Sequence, residues 1–427
     1  MIRILNYSKL GAEAVLARGA DTPDVSAPVA EILAAVRQEG DAALRRYCAV
    51  FDGMPENAPL EVSPDELAAA CDAVEPDFLA ILQEAAENIR AFHKRQIREG
   101  FVLSERDGVV LGQKVTPLAR VGLYVPGGTA SYPSTVLMDC IPAKLAGVPE
   151  VIMVTPAKGG KLAPEILAAA AVAGVSRVFR IGGAQAVAAL AYGTESIPRV
   201  DKIVGPGNVY VAEAKRQVYG LVDIDMIAGP SEILILADDT CNARFVAADL
   251  LSQAEHDKNA SAVLITTSET LASAVQQELE RQLALLPREE IARASIENNG
   301  KIILVPTLEE GIAIANEIAP EHLELCVDDP FAYLSQIRNA GSIFLGKYCP
   351  EALGDYFSGP NHTLPTSGTA RFSSPLSVDD FVKKSQFSYY TADALARVAK
   401  KVARFARKEG LDAHAKSALV RFEEDAQ

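Results

Sequence analysis

The chain is predicted to be an α/β protein built from two parallel-sheet domains. From Arg120 onward, short apolar runs rich in β-branched residues alternate with alanine-rich stretches of helical length. Near-continuous apolar strands separated by helices are typical of parallel sheets that are covered on both faces. At 427 residues, the chain is also longer than one ordinary hydrophobic core supports.

The predicted strands follow one another at short intervals. They lie at 121–125, 151–154, 178–181, 202–204, 233–237, 262–266, 302–305 and 342–345. Because these are too many for one compact sheet, we expect two α/β domains with a seam near Gly229-Pro230-Ser231.

The remaining segments differ in character. The first hundred residues are predicted to be helical, and Ser63-Pro64-Asp65-Glu66 has the pattern of a helix N-terminus. Asp107-Gly108 predicts a hairpin turn. The stretch 346–375 is rich in glycine, proline and polar residues, which is typical of a loop that builds a site. The tail from about Val378 is predicted to be helical and to pack on another surface, such as a second subunit.

Composition excludes several classes of function. The net charge is −15, and duplex nucleic acid is not expected as a partner because phosphate neutralisation needs clustered basic residues. The basic run of 400–408 is better explained as the solvated end of a helix than as a polyanion site. We find no signal peptide and no apolar run long enough to span a membrane.

The six cysteines stand at positions 48, 71, 140, 241, 326 and 349, without a close CxxC pair. This spacing argues against a disulfide framework and against a cysteine zinc site. A cytoplasmic protein is therefore expected.

Four of the five histidines lie in short polar motifs: His256, His322, His362 and His414. Histidine binds metals and exchanges protons near neutral pH. This grouping points to a metal-assisted acid–base enzyme, whereas His93 has no such neighbours and is predicted to be structural.

Gln253 and His256 are three residues apart and are predicted to share one face of a helix. With Asp355 and His414, they could supply two imidazoles, a carboxylate and an amide oxygen to zinc or another divalent transition metal. The alternative is a surface glutamine and a histidine that caps the helix end, and spacing alone leaves both open.

Glu321 and His322 directly precede an apolar run at 323–327, so we expect them at the mouth of a strand, where α/β folds place catalytic groups. A carboxylate that activates water beside an imidazole that takes a proton suits the oxidation of an alcohol and then an aldehyde. A loop acid beside a surface histidine is the competing interpretation.

Three glycine-rich turns follow predicted strands: Pro126-Gly127-Gly128, Gly182-Gly183-Ala184-Gln185 and Gly205-Pro206-Gly207-Asn208. The last two open onto helices, where backbone N–H groups could bind a pyrophosphate. None matches the GxGxxG fingerprint, so ordinary tight turns remain an alternative.

Taken together, these segments resemble the histidinol dehydrogenase family across nearly the whole chain. The matching motifs begin at 120–128 and continue through 182–185, 204–208, 228–232, 250–256, 341–346, 354–362 and 411–414. The resemblance implies two incomplete Rossmann-like parallel-sheet domains with a helical N-terminal arm and a helical C-terminal tail. We predict an arm at 1–22, one domain from 23–123 and 231–377, an NAD-binding domain at 124–230, and a tail at 378–427.

The resemblance also implies a zinc-dependent, NAD-linked enzyme of histidine biosynthesis. It would oxidise L-histidinol through the bound aldehyde to L-histidine, reducing two NAD in succession, with one zinc per subunit. It would be a homodimer whose tail reaches the partner subunit, so that the active sites are composite.

Family roles carry over to matching positions of this sequence. The zinc ligands would be Gln253, His256, Asp355 and His414, and the proton-transfer pair would be Glu321 and His322. Substrate contacts would include Ser231, Gln253, His256, His322, Asp355, Glu409 and His414, and NAD contacts would be Tyr124, Gln185 and Asn208.

Three rival functions remain at this point. A paralogue could oxidise another small polar alcohol, and a zinc hydrolase could use Glu321 to activate water. A covalent route through Cys326 is a third possibility, although this residue lies within a predicted strand and core packing explains it better.

Overall fold

A computed structural model describes residues 1–9, 16, 23–127 and 131–423 of the chain. Within these residues the strands are β1 Arg3–Asn6, β2 Phe101–Arg106, β3 Val109–Pro117, β4 Arg120–Tyr124, β5 Glu150–Val154, β6 Arg177–Phe179, β7 Lys202–Val204, β8 Asp223–Ile224, β9 Glu232–Ala237, β10 Ser261–Thr266, β11 Lys301–Leu304, β12 His322–Cys326, β13 Ser342–Leu345 and β14 Val382–Tyr390.

The helices alternate with most of these strands. They are α1 Ser26–Glu39, α2 Asp41–Asp52, α3 Pro64–Ala68, α4 Pro76–His93, α5 Pro133–Leu145, α6 Pro164–Ala173, α7 Gly183–Tyr192, α8 Val209–Val218, α9 Ala243–Ala254, α10 Glu269–Leu283, α11 Glu289–Asn298, α12 Leu308–Ile318, α13 Phe331–Leu334, α14 Glu351–Tyr356, α15 Ala392–Lys408 and α16 Asp412–Leu419.

Five strands form a parallel sheet in the order β6-β5-β4-β7-β8. The first strand in sequence, β4, is central, and the chain adds strands first on one side and then on the other. This order produces a topological switch point between β4 and β7, where Rossmann-like folds bind ligands. The sheet is an incomplete Rossmann-like unit, as predicted.

A second parallel sheet has six strands in the order β1-β11-β10-β9-β12-β13. The five strands from β9 to β13 repeat the same winding around β9, and β1 is added at one edge. The chain passes from the first sheet to the second between Ile224 and Glu232, a stretch that includes the predicted seam. The α/β fold class is confirmed.

Helices α1 to α4 share their apolar cores with the five-stranded sheet. Residues such as Val29 and Leu33 of α1 cluster with Ile152 and Val154 of β5, and Ile89 of α4 clusters with residues of β4. This packing differs from the predicted grouping of 23–123 with 231–377. The physical reason is that a hydrophobic stripe reveals a helix, but not which of two sheets it covers.

The stretches Ile97–Pro117 and Val382–Gln427 form a separate compact unit. Its antiparallel sheet has the order β14-β3-β2, and the predicted hairpin turn joins β2 to β3, with Gly108 at φ +72°. The sequence predicts a helical tail from Val378. In the structure, strand β14 comes first, and the helices α15 and α16 follow it. Most residues of β14 are polar and exposed, so the sequence gives no sign of a strand there. Its backbone pairing with β3 stabilises it.

The N-terminal arm also differs from expectation. Residues Arg3–Asn6 form a strand rather than a helix, because β1 completes the edge of the six-stranded sheet beside β11. Much of the predicted arm, Gly128 of the first glycine turn, and residues 424–427 lie outside the described residues. Among the residues that are described, no helix combines the length and apolarity needed to cross a membrane.

Candidate active site

Glu321 and His322 lie at the amino-terminal edge of the six-stranded sheet. His322 is the first residue of β12, in register with Ile233, the second residue of β9, and with Ser342, the first residue of β13. The usual rule places ligands at the carboxyl ends of parallel strands. The pair does lie at an end of a strand, as predicted. It is the amino end of β12, however, and not the carboxyl end that the rule implies.

Backbone groups of Glu232 fix both side chains. The Glu232 N–H donates to Glu321 Oε2 at 2.8 Å, and His322 Nδ1 lies 2.9 Å from the Glu232 carbonyl oxygen. A carbonyl oxygen can only accept, so Nδ1 carries the proton. Nε2 is then free to accept a proton, and it is buried without a hydrogen-bond partner.

A short helix brings two further carboxylates to the same place. Glu351 and Asp355 are four residues apart in α14 and therefore share one face. Glu351 Oε1 lies 4.0 Å from His322 Nε2. Potential ligand atoms of His322, Glu351 and Asp355 all lie within 4.8 Å of one another, a grouping that could hold a metal ion.

The charges in this cluster perturb one another. Burial raises the pKa of Glu321 to about 8, although His322 opposes the shift. Burial, followed by Asp355, raises the pKa of Glu351 to about 7. Burial disfavours a charged His322, yet the neighbouring carboxylates of Glu321, Glu351 and Asp355 raise its pKa. Several groups can thus exchange protons near neutral pH, as acid–base catalysis requires.

Gln253 and His256 approach the cluster from the end of α9. Gln253 is buried, and neither of its amide atoms has a hydrogen-bond partner. Burial lowers the pKa of His256, with Asp355 and His322 among its charged neighbours. A neutral imidazole and an uncommitted amide oxygen are suitable metal donors.

His362 contacts the cluster from its other side. Its Nδ1 lies 3.5 Å from Asp355 Oδ1. Burial opposes the charged form of His362, but the Asp355 carboxylate raises its pKa. In the reverse direction, burial opposes ionisation of Asp355, and His362 holds the Asp355 pKa below its usual range. Asp355 is therefore kept ionised, as a metal ligand must be.

Two of the predicted NAD contacts lie at the carboxyl edge of the five-stranded sheet, whereas Glu321 and His322 lie at an amino edge. Tyr124 ends β4, and its hydroxyl accepts a hydrogen bond from the Gly183 N–H at 3.0 Å. Gln185, in the first turn of α7, is buried with Oε1 unpartnered. Gly183 has φ +67°, so this turn requires glycine.

The turn after β7 is held by a buried ion pair. Asp225 accepts hydrogen bonds from the Gly205 N–H and pairs with Lys215, whose Nζ donates to the Gly205 carbonyl at 2.9 Å. A Cβ at Gly205 would overlap the Tyr124 carbonyl oxygen, so the backbones approach closely. Asn208 caps α8 through hydrogen bonds from Tyr210 and Val211, which is a structural task.

The remaining predicted site residues lie elsewhere. Ser231 directly precedes β9 at the amino edge of the six-stranded sheet. Glu409 and His414 belong to the tail unit, where both line one cleft together with Phe405 and Leu411.

Sequence reasoning missed Glu351 and gave His362 no role. The sequence did carry a signal for Glu351. It lies four residues before Asp355, and two residues at that spacing share one face of a helix. A proline- and glycine-rich stretch had been predicted as a loop, which concealed the helical spacing.

The covalent route through Cys326 is disfavoured by the structure. Cys326 ends β12, four residues after His322, which is roughly 13 Å along a strand. A hydrogen bond with Cys241, followed by burial, raises the pKa of its thiol. A thiol that resists ionisation is a poor nucleophile.

Comparisons with known proteins agree with the resemblance read from the motifs. A family model described as histidinol dehydrogenase matches residues 16–422. Histidinol dehydrogenase from Bacillus cereus is 58% identical over 397 residues, covering 93% of this chain and 92% of that protein. The protein of the same name from Syntrophotalea carbinolica is 55% identical over 430 residues, covering 99% of this chain and 100% of that protein.

A solved structure gives the same result. The crystal structure of histidinol dehydrogenase from Elizabethkingia anophelis matches with a TM-score of 0.93 at 38% identity, covering 98% of both chains. Family model, sequence relatives and fold agree over nearly the full length. The chain belongs to the histidinol dehydrogenase family and is a dehydrogenase.

Proposed function

We propose that the protein oxidises L-histidinol through L-histidinaldehyde to L-histidine in two NAD-linked steps, as a zinc enzyme in the cytoplasm. The observation that carries this proposal is the cluster of His322, Glu351 and Asp355, whose ligand atoms lie within 4.8 Å of one another. It places Asp355, one of the proposed zinc ligands, close to His322, the proposed proton acceptor, in a chain of the histidinol dehydrogenase family.

The donor set fits a divalent metal. Gln253 has two buried amide atoms without partners, burial favours neutral His256, and Asp355 stays ionised. With His414 of the tail, these residues would hold zinc, which when bound would act as a Lewis acid and orient the substrate. An amide and a neutral imidazole left uncommitted inside a protein support this assignment.

His322 is the proposed proton acceptor for the alcohol. Its Nδ1 proton is committed to the Glu232 carbonyl, which leaves Nε2 to take the proton that the alcohol oxygen releases. Oxidation of the carbon also removes a hydride, which NAD would accept when bound.

Glu321 is the proposed group that activates water for the second oxidation. One of its oxygens is held by the Glu232 N–H, so the carboxyl has a fixed orientation. Its pKa of about 8 means that it exchanges protons near neutral pH. Removing a proton from water would hydrate the aldehyde and prepare it for the second hydride loss.

We place NAD at the carboxyl edge of the five-stranded sheet, near Tyr124, Gln185 and Asn208. The support is the switch point between β4 and β7 together with a helix N-terminus at α7, where backbone N–H groups suit a pyrophosphate. The substrate contacts proposed from the family are Ser231, Gln253, His256, His322, Asp355, Glu409 and His414.

The experiment is to incubate zinc-loaded protein with limiting L-histidinol and excess NAD, and to measure NADH by absorbance and histidine by chromatography. We expect two NADH and one histidine for each histidinol. One NADH with free aldehyde accumulating would contradict the four-electron assignment. A related polar alcohol oxidised in preference to histidinol would favour the paralogue, and NAD-independent hydrolysis would favour the hydrolase.

We also propose a homodimer in which the tail supplies His414 to the partner's site. The support is that α15 buries mainly alanines, whereas Phe405 is 69% exposed in the single chain. Unfolding and refolding a mixture of His256→Ala and His414→Ala subunits should give about half mixed dimers, so roughly a quarter of all sites should regain activity. Background activity in a preparation shown to contain mixed dimers would reject the crossed tail.

A further inference from the structure

Strand β12 presents a row of polar side chains to α9. Side chains alternate along a strand, so His322, Glu324 and Cys326 share one face, whereas Leu323 and Leu325 join the apolar cluster on the other face. Glu324 is fully buried in a central strand, between Ile235 of β9 and Phe344 of β13. The proposed chemistry does not use it.

A carboxyl group in such a place is costly unless its oxygens have partners. Glu324 Oε1 accepts a hydrogen bond from the backbone N–H of Glu351 at 2.8 Å. Oε2 accepts from the Cys326 thiol at 3.6 Å. Burial, followed by the nearby Asp249 carboxylate of α9, raises the pKa of Glu324 well above its ordinary value.

The Glu351 N–H is the first amide of α14. Pro350 precedes this helix and gives no side-chain cap, and a helix of six residues is not stable by itself. Glu324 therefore supplies the cap from a different element. Since α14 carries both Glu351 and Asp355, whatever fixes its first turn also sets where these two carboxylates meet His322.

We propose that Glu324 is a positioning residue, which uses its hydrogen bond to the Glu351 amide to hold the Glu351 and Asp355 carboxylates against His322. One strand thus contributes the imidazole and, two residues later, the anchor of the helix that carries the opposing acids. The consequence for zinc rests on the function proposed above, whereas the anchoring of α14 does not.

Further contacts support a single rigid assembly. The Ser252 hydroxyl of α9 donates to Glu351 Oε2 at 2.8 Å. The Glu351 side chain is thereby tied to α9, and its backbone is tied to β12. Loss of the Glu324 acceptor should free the first turn of α14 while leaving the sheet itself paired.

The test compares Glu324→Gln with Glu324→Met in the full-length protein. Glutamine keeps an acceptor oxygen of similar shape, whereas methionine fills the same space with none. Leu325→Met is the matched control, because it places the same new side chain on the other face of the same strand. Thermal unfolding of each variant reports whether the fold as a whole is retained.

The first readout is hydrogen–deuterium exchange in the peptide covering 346–357, measured on metal-free protein. We expect faster exchange in Glu324→Met, and wild-type exchange in Glu324→Gln and Leu325→Met. Wild-type exchange in Glu324→Met, or faster exchange in Glu324→Gln of the same size, would overturn the anchoring role.

The second readout is the affinity for Zn²⁺ alone, measured by competition with a chelating dye. Loss of a partner that orients metal ligands typically costs 10–100-fold in affinity. We expect a loss of about that size in Glu324→Met only, without a matching fall in unfolding temperature. Unchanged zinc affinity in Glu324→Met would show that Glu324 does not position the carboxylates of α14 for zinc binding, and would overturn that part of the proposal. Failure of the wild type to bind zinc would instead contradict the proposed function, and the exchange result would still decide the anchoring.

Discussion

The two parallel sheets share the same winding, but their candidate binding edges are built differently. At the carboxyl edge of the five-stranded sheet, most polar groups hold backbone turns, as the Tyr124 hydroxyl, the Asn208 amide and the Lys215–Asp225 pair do. Gln185 Oε1 and Asp139 Oδ2 are exceptions there, since both are buried without a hydrogen-bond partner. At the amino edge of the six-stranded sheet, buried side-chain atoms of Gln253, His322 and Glu351 have no hydrogen-bond partner.

The difference indicates that the two edges have different functions. Groups that are fully committed to the protein shape a surface, whereas buried groups left without partners are available to a ligand. The five-stranded sheet therefore offers a preformed backbone cradle, and the six-stranded sheet offers reactive side chains. Substitutions at the amino edge should therefore mainly reduce kcat, whereas those at the carboxyl edge should mainly reduce stability and raise the KM for NAD.

The largest expected effect lies at the amino edge. His322→Asn keeps a donor for the Glu232 carbonyl but removes Nε2, the proposed proton acceptor. We expect kcat to fall roughly 10²–10⁴-fold, with the KM for NAD nearly unchanged. Steady-state kinetics with histidinol and with histidinaldehyde measures both steps. A loss below tenfold would mean that another group accepts the proton.

At the carboxyl edge, breaking a buried ion pair should chiefly reduce stability. Lys215→Met leaves the buried Asp225 carboxylate without its cation, a change that typically costs about 3–5 kcal/mol. We expect a lower free energy of unfolding and a higher KM for NAD, with zinc affinity unchanged. Chemical denaturation, NAD titration and zinc competition measure these three quantities.

Lys202→Met is the matched control for that prediction. Lys202 is also buried, but its partners Asp223 and Asp380 are both partly exposed and can be solvated after the change. A smaller loss of stability is therefore expected. Equal losses in the two variants would show that the Lys215–Asp225 pair has no special role.

Asp139 provides a pH test beside the same edge. Burial raises its pKa to about 7, above the ordinary value of 3.8, so the folded state binds a proton that the unfolded state releases. Stability from this group is present at low pH and is lost as the pH rises from about 4 to 7. Asp139→Asn keeps the acceptor for Thr363. It should gain stability relative to wild type, on the order of 4 kcal/mol more at pH 8 than at pH 4.

Thermal unfolding of both proteins across this pH range checks that sign. A stability difference that does not change with pH would mean that Asp139 ionises normally in the folded state.

The smallest effect is expected for Tyr124→Phe. It removes the acceptor of the Gly183 N–H and leaves that group unpaired, at a cost of roughly 1–3 kcal/mol. We expect the KM for NAD to rise about tenfold, equivalent to ~1.4 kcal/mol, with kcat little changed. A kcat effect larger than the KM effect would place Tyr124 nearer to the chemistry than to the cradle.

The two edges also differ in how far the sequence predicts them. The apolar runs predict the parallel strands well, because strands buried on both faces leave a clear pattern. The glycine turns were predicted for a local reason, since Gly183 and Gly205 adopt positive φ. The amino-edge cluster was predicted only in part, because its members come from β12, α9 and α14, and meet through packing.

Other errors follow from the same limit. Glu324 was read simply as part of an apolar strand, although it caps a helix that had been predicted as a loop. Strand β14 escaped notice because its exposed polar residues lack the alternation that marks a half-buried strand.

We propose that the metal and the acid–base groups share the amino edge of the six-stranded sheet. Crystals grown with zinc and measured on both sides of the zinc absorption edge test this directly. We expect one strong anomalous peak for each subunit, in contact with Asp355, Gln253 and His256 and beside His322. A zinc peak at the carboxyl edge of the five-stranded sheet, or none near Asp355 in active protein, would contradict it.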